Sequence, residues 1–182
     1  MLTKILLSTF LISSMLGVSA HAELKLSSSS ISSKKQIDNK FVANGFGCSG
    51  QNISPELHWS GAPKDTKYYA ITLYDQDAPT GSGWWHWLII NIPVNSFTIP
   101  EGASSNESTL PTGAIQTKND GGQYGYFGPC PPRGDKTHHY TLRLVALKDK
   151  IPLTKDVSGA MVGFYINSLK LEEAILRFNF ER

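Results

Sequence analysis

YYAITLYDQDAPTGSGWWHWLIINI, residues 68–92, consists of two apolar runs divided by a loop of turn formers. The first run, Tyr68 to Tyr74, is rich in aromatic and β-branched side chains that suit a pleated strand. The second, Trp85 to Ile92, has the same character. Neither alternates cleanly with polar residues, which predicts strands covered on both faces in the middle of a sheet. Between them Asp75-Gln76-Asp77-Ala78-Pro79-Thr80-Gly81-Ser82-Gly83 is loop by composition. The natural reading is an antiparallel hairpin with a long connection. This has a chemical consequence. Asp75 and Asp77 leave one strand at the end where His86 begins the next, so the three are expected to be neighbours.

Downstream, His139 to Lys148 carries the period of a strand: Tyr140, Leu142, Leu144 and Ala146 alternate with Thr141, Arg143 and Val145. That period places His138 and Tyr140 on one face at its start. Ser158 to Leu169 is the best helix candidate, with Asp156 or Ser158 as its cap, although two glycines weaken it. Ala174 to Phe180 alternates again and predicts a closing strand. Upstream, a short strand at Leu24 to Leu26 is followed by a serine-rich connection, and Leu57-His58-Trp59 is a second short extended stretch. Residues 44–50 (NGFGCSG) hold three glycines and read as loop. From Asn95 to Gly125 no long periodic run is visible, which points to functional loops or to strands too short to see. No repeat or domain boundary interrupts this pattern. The fold class expected is mainly β (α+β).

The N-terminus has the three parts of a secretion signal: Lys4, an apolar run from Ile5 to Val18, and Ala20-His21-Ala22. Residues 1–22 are therefore expected to be a leader cut before Glu23, leaving 23–182 as one domain of ordinary size. The run is short for a bilayer span, which needs about 20 apolar residues, and no later segment is long enough. Formal net charge is +2, with no basic stripe; Lys34-Lys35 reads as a solvated loop. Binding to nucleic acid through charge is thereby excluded. The two cysteines, Cys48 and Cys130, both follow the leader. In an oxidising compartment such a pair predicts a disulfide. Closing so long a loop is worth roughly 4 kcal/mol on the chain-entropy account. The spacing matches neither a Cys-x-x-Cys redox motif nor a usual zinc site.

Two loops concentrate polar groups. One is 75–83, with His86 behind it. The other is Gly128-Pro129-Cys130-Pro131-Pro132-Arg133-Gly134, which prolines stiffen and which leads to His138-His139-Tyr140. An anion pocket needs donors, and imidazole N–H groups of His86 and His138, the Tyr140 hydroxyl and glycine-loop backbone N–H groups offer them. At about 1.5–3 kcal/mol for each hydrogen bond to a charged partner, a few suffice for a small phosphoester. Asp75 beside His86 would favour imidazolium. Asp77 is as readily a turn-capping residue. Trp59, Trp84, Trp85 and Trp87 are candidates to line an acyl or ring-binding cleft, though core packing fits most of them better, and His58 fits a surface or satisfied core position.

Asp75-x-Asp77-Ala78-Pro79, Trp85-His86-Trp87, Pro131-Pro132-x-Gly134 and His138-x-Tyr140, in that order, resemble the phosphatidylethanolamine-binding proteins, also called Raf kinase inhibitor proteins. Gly81-Ser82-Gly83-Trp84, Asn52-Ile53-Ser54-Pro55 and Ser158-Gly159-Ala160-Met161-Val162-Gly163 are similar to its bacterial YbhB/YbcL branch. The resemblance covers nearly all of the chain after the leader. It implies a large antiparallel sheet packed with a smaller one, a short helix towards the C-terminus, and an anion pocket at one sheet end. Carried over by position, the ligand-binding residues are Asp75, Asp77, His86, Gly128, Pro129, Pro131, His138 and Tyr140, and the Cys48–Cys130 bridge ties the glycine-rich loop to the rim. Gln76 departs from the family's usual proline, and His139 from its frequent arginine. The branch implies a periplasmic location, with release beyond the cell as an option.

The function this implies is binding of a small anionic ligand, such as a phosphate ester or a phospholipid head group. A protein partner and a homodimer are further options for its partners. The alternative is an exported interaction protein that modulates host or partner signalling in the manner of the kinase-inhibitor members. A metal-dependent hydrolase ranks lower, since no activated Ser or Cys nucleophile and no firm metal set is visible. No cofactor is expected.

Overall fold

The structure, a computed structural model, describes residues 23–33 and 36–182. The leader assigned to residues 1–22 and the Lys34-Lys35 pair lie outside the described residues. In chain order the strands are β1 (Lys25–Ser27), β2 (Asn44–Gly45), β3 (Cys48–Ser49), β4 (Leu57–Ser60), β5 (Tyr68–Asp75), β6 (Trp84–Pro93), β7 (Thr98–Ile99), β8 (Ile115–Gln116), β9 (His138–Leu147) and β10 (Lys170–Phe180). Helix α1 (Gly159–Leu169) runs directly into β10.

Five strands form the large antiparallel sheet in the order β10-β9-β5-β6-β8, so the two apolar runs of residues 68–92 lie inside it. A smaller sheet, β1-β4-β7, packs on one face, and β2-β3 is a separate two-stranded ribbon. The continuous apolarity of β5 follows from cover on both sides. Tyr69, Ile71 and Leu73 join Leu57, Trp59 and Ile99 in one core. Ala70, with Leu88, Ile90 and Val145, faces Val162 and Ile166 of α1 in the other. A residue on either face of this strand that could not be buried would expose the core, which is why polar alternation is absent.

Helix α1 begins at Gly159. Ser158 is the cap, its hydroxyl accepting from the Met161 N–H at 3.3 Å. Asp156 is not: it bonds the Tyr124 hydroxyl and pairs with Lys118 at 3.1 Å. Gly159 has a packing reason, because a Cβ there would lie 2.4 Å from Trp85 Cδ1. Its lost helix propensity is offset by close seating on the sheet. The closing strand starts at Lys170 rather than Ala174. Its first residues hide in the sequence because a register shift between Lys170 and Glu172 breaks the alternation. Residues 95–125 hold β7, β8 and a short helical turn at Glu107–Thr109. Side-chain bonds organise the rest, such as the Ser104 hydroxyl accepting from the Tyr126 N–H at 2.6 Å.

Cys48 and Cys130 form a disulfide across 82 residues of sequence, joining the β2-β3 ribbon to the segment before β9. No helix among the described residues is long and apolar enough to cross a membrane. The Gly159 contact yields a stability test. Helix propensity alone would make Gly159→Ala stabilising by about 1 kcal/mol. The overlap with a Trp85 ring already packed on Tyr74 at 4.5 Å reverses the sign. A loss of about 1–3 kcal/mol is expected in chemical denaturation, and a more stable variant would contradict this packing.

Candidate functional site

Three central strands converge at one end of the large sheet. Asp75, the last residue of β5, pairs in register with Trp84, the first of β6, and with Tyr140 near the start of β9. Antiparallel pairing therefore gathers Asp75, His86 and His138, residues far apart in sequence. All three line one cavity of about 460 Å3. This volume lies within the roughly 300–1,000 Å3 of small-molecule sites.

The polar floor is strongly coupled. Asp75 is 3% exposed, and its Oδ2 lies 2.7 Å from His138 Nδ1. Its Oδ1 accepts the Asp77 N–H at 2.9 Å. His138 Nε2 reaches Asp135 Oδ2 at 3.3 Å, so carboxylates face both ring nitrogens. Burial disfavours the charged ring, but the hydrogen bonds to Asp75 and Asp135 outweigh it and raise the His138 pKa above the ordinary histidine value. His86 is the opposite case. Its Nδ1 donates to the Phe127 carbonyl at 2.7 Å, and its Nε2 is 4.0 Å from Asp75 Oδ2, beyond hydrogen-bond reach. Burial dominates and pushes its pKa down to about 4. At neutral pH, His86 carries one proton, on Nδ1, and Nε2 presents a lone pair. The imidazole N–H groups expected to be open donors are thus already engaged.

The other expected residues hold differing places. Pro131 lines the cavity. Tyr140 is fully buried beneath the floor, stacked on Phe178 at 5.1 Å and edge-on to His86 at 5.4 Å. Its hydroxyl is buried beside Asp75, and burial, followed by the Asp75 carboxylate, raises its pKa. Asp77 does not line the cavity. Its carboxylate takes Lys136 Nζ at 2.6 Å and the His139 N–H at 2.9 Å, and these bonds hold its pKa far below the usual range. It fastens the 75–83 loop to the start of β9, with His139 as partner. Gly128 donates to Asn52 Oδ1 at 2.8 Å. A Cβ on Gly128 would sit 2.2 Å from the Phe41 carbonyl oxygen. The Pro129 carbonyl accepts the Ala43 N–H at 3.2 Å. Gly128 and Pro129 therefore tie the rim to residues 41–43 rather than facing the cavity.

Sequence reading missed Phe46, Phe127 and Arg182; all three line the cavity with Trp84, the one of the four tryptophans weighed for a cleft that does so. Trp59 and Trp87 are buried in the core, while His58 is exposed. Arg182 reaches the site because Phe180 of β10 pairs with His138; its guanidinium donates to the Pro131 and Gly47 carbonyls. Asp135 was legible in principle, three residues before His138. Among the described residues no group of three or more His, Cys, Asp or Glu side chains is arranged to hold a metal ion.

A mostly β domain with an acid–imidazole floor where its central strands end, under an aromatic and proline wall, has the form of a small-ligand binding protein. Residues 27–181 match the family model described as phosphatidylethanolamine-binding protein, and the chain belongs to that family. It is 48% identical over 155 residues to Escherichia coli YbcL, covering 84% of this chain and 85% of that one. Escherichia coli YbhB is 41% identical over 152 residues, covering 83% and 96%. The Mycobacterium tuberculosis protein named putative lipoprotein LppC is 34% identical over 136 residues, covering 75% and 64%. The crystal structure of Escherichia coli YbcL, described as a member of the mammalian PEBP family, superposes with a TM-score of 0.85 at 47% identity, covering 88% of this chain and 99% of that one.

The buried neutral His86 makes stability depend on acid. The unfolded ring takes a proton near pH 6.5 and the folded ring only near 4, so stabilisation is complete above 6.5 and is lost as pH falls through that window. Relative to pH 7.5, wild type at pH 4.5 is expected to lose about 2–3 kcal/mol more than His86→Asn in denaturant melts. Equal losses would remove His86 as the cause.

Proposed function

We propose that this chain is an exported, periplasmic binding protein, one domain spanning residues 23–182 behind a leader cut after Ala22. In this reading its cavity takes a small phosphorylated or carboxylated molecule, of which a phosphoethanolamine-like head group is the model. The observation that carries the proposal is the meeting of Asp75, His86 and His138 on one cavity floor. Export draws support from the disulfide, a bond of oxidising compartments, and from the lipoprotein name of one relative.

The floor also indicates which form of the anion it takes. Arg182 supplies positive charge and His138 is shifted towards its charged form, but Asp75 and Asp135 offset both, and His86 Nε2 is an acceptor. A dianion would meet a carboxylate and a lone pair. A phosphate monoester that keeps one proton has an O–H to donate to Asp75 or to His86 Nε2, while its anionic oxygens face the cationic side. The second pKa of such an ester is about 6. Uptake of a proton by His86 would serve the same end. On either route the bound complex holds a proton that the free components lack at pH 7.5, so acid favours binding.

Calorimetric titration with phosphoethanolamine is the test. Affinity is expected to fall by about tenfold or more from pH 5.5 to 7.5. His138→Asn and His86→Ala should each abolish the rise in melting temperature that the ligand gives wild type. Equal rises in all three proteins would end the assignment of this floor.

A further inference from the structure

The cavity wall opposite the acid–imidazole floor contains an oddity. Strands β2 and β3 are joined by Phe46-Gly47, and both residues have positive φ, 50° and 78°. Two central residues of that kind make the type I′ pattern, which favours Asn-Gly because a side chain with a bulky ring is strained there. Phe46 is also 70% exposed, so burial does not repay the strain. It stands edge-on to Phe127 at 5.4 Å and to Trp84 at 6.4 Å, and all three rings line the cavity.

The turn is held by two tethers. The Cys48–Cys130 disulfide ties β3 to the rim. Arg182 donates to the Gly47 carbonyl at 2.6 Å and to the Phe46 carbonyl at 3.4 Å. The same guanidinium donates to the Pro131 carbonyl, so turn and rim are fastened through one side chain. A strained, exposed aromatic that is pinned this firmly has a use in position rather than in packing.

We propose that Phe46 is the specificity-determining residue of the cavity, and that its ring, with Trp84 and Phe127, receives a flat apolar group carried by the anion, making an aryl phosphate monoester the preferred class. This rests on the head-group reading above and adds to it. The cavity of about 460 Å3 is far larger than a bare tetrahedral anion requires, and the excess is apolar. A ring attached to the phosphate ester oxygen would leave the floor towards this wall and meet aromatic edges and faces. Such pairs discriminate beyond their buried area. An ethanolamine ammonium would meet the ring faces through cation–π attraction, but it buries far less apolar area against this wall than an aryl ring does.

The test uses the full-length mature protein with phenyl phosphate, phosphoethanolamine, inorganic phosphate and phenol, titrated at pH 5.5. Phenyl phosphate is expected to bind about tenfold tighter than the other two phosphates. Phe46→Gly, which suits the positive φ, should keep or raise the melting temperature yet erase most of that preference, lowering the affinity for phenyl phosphate more than that for inorganic phosphate. Phe46→Tyr should retain it. Equal affinity for all three phosphates in wild type, or a preference undiminished in Phe46→Gly, overturns the proposal. Phenol binding as tightly as phenyl phosphate, with both lost in Phe46→Gly, keeps the aromatic wall but removes the head-group reading beneath it.

Discussion

Asp75 ends the central strand of the large sheet almost wholly shielded from water, and an ionised carboxylate in that setting must be paired. His138 does this at 2.7 Å, and the pairing has consequences in several directions. It requires the start of β9 to lie against the end of β5, as their register provides. Through the second carboxylate, Asp135, it shifts His138 towards its charged form. Burial keeps His86 neutral, its proton spent on the Phe127 carbonyl. Burial thus lowers the pKa of one histidine of the cavity, while paired carboxylates raise that of the other.

The surrounding loops serve to hold this floor and to roof it. Asp77 was a candidate for the cavity itself, but its bonds to Lys136 and His139 place it outside, as the latch of the 75–83 loop. Gly128 and Pro129 fix the rim to the segment at 41–43. The ribbon bearing Phe46 is outside both larger sheets, and the disulfide and Arg182 anchor it to the rim. Rigidity here comes from cross-links and side-chain–carbonyl bonds, since two-residue strands have little packing of their own. A preformed site of this kind binds without first having to order its walls.

Much of the frame was legible beforehand. Apolar runs without alternation can be satisfied only by a strand covered twice, and β5 and β6 are covered by the small sheet on one face and by α1 on the other. The alternation from Tyr140 to Ala146 similarly announced β9, and it put His138 and Tyr140 on one face. Yet sharing a face did not give them the same role. His138 reaches the cavity, while the Tyr140 hydroxyl lies sealed beneath the floor. Depth along a face depends on what packs above it, and no periodicity reports that. Glycines misled in the other direction: Gly159 argued against a helix until the indole of Trp85 accounted for it.

The amino-acid order alone determined the hairpin of residues 68–92 and the period of the later strands, which residue types crowd the two polar loops, and that two cysteines stood ready for one bond. These are local or periodic properties, written within a few residues of each other. Only tertiary structure decided that Arg182 and Phe46, 136 positions apart, meet at one turn of the cavity wall, and which histidine is shifted towards its charged form and which away from it. Protonation and long-range contact depend on distances through space and on exclusion of water, and both come into being only when the sheets close.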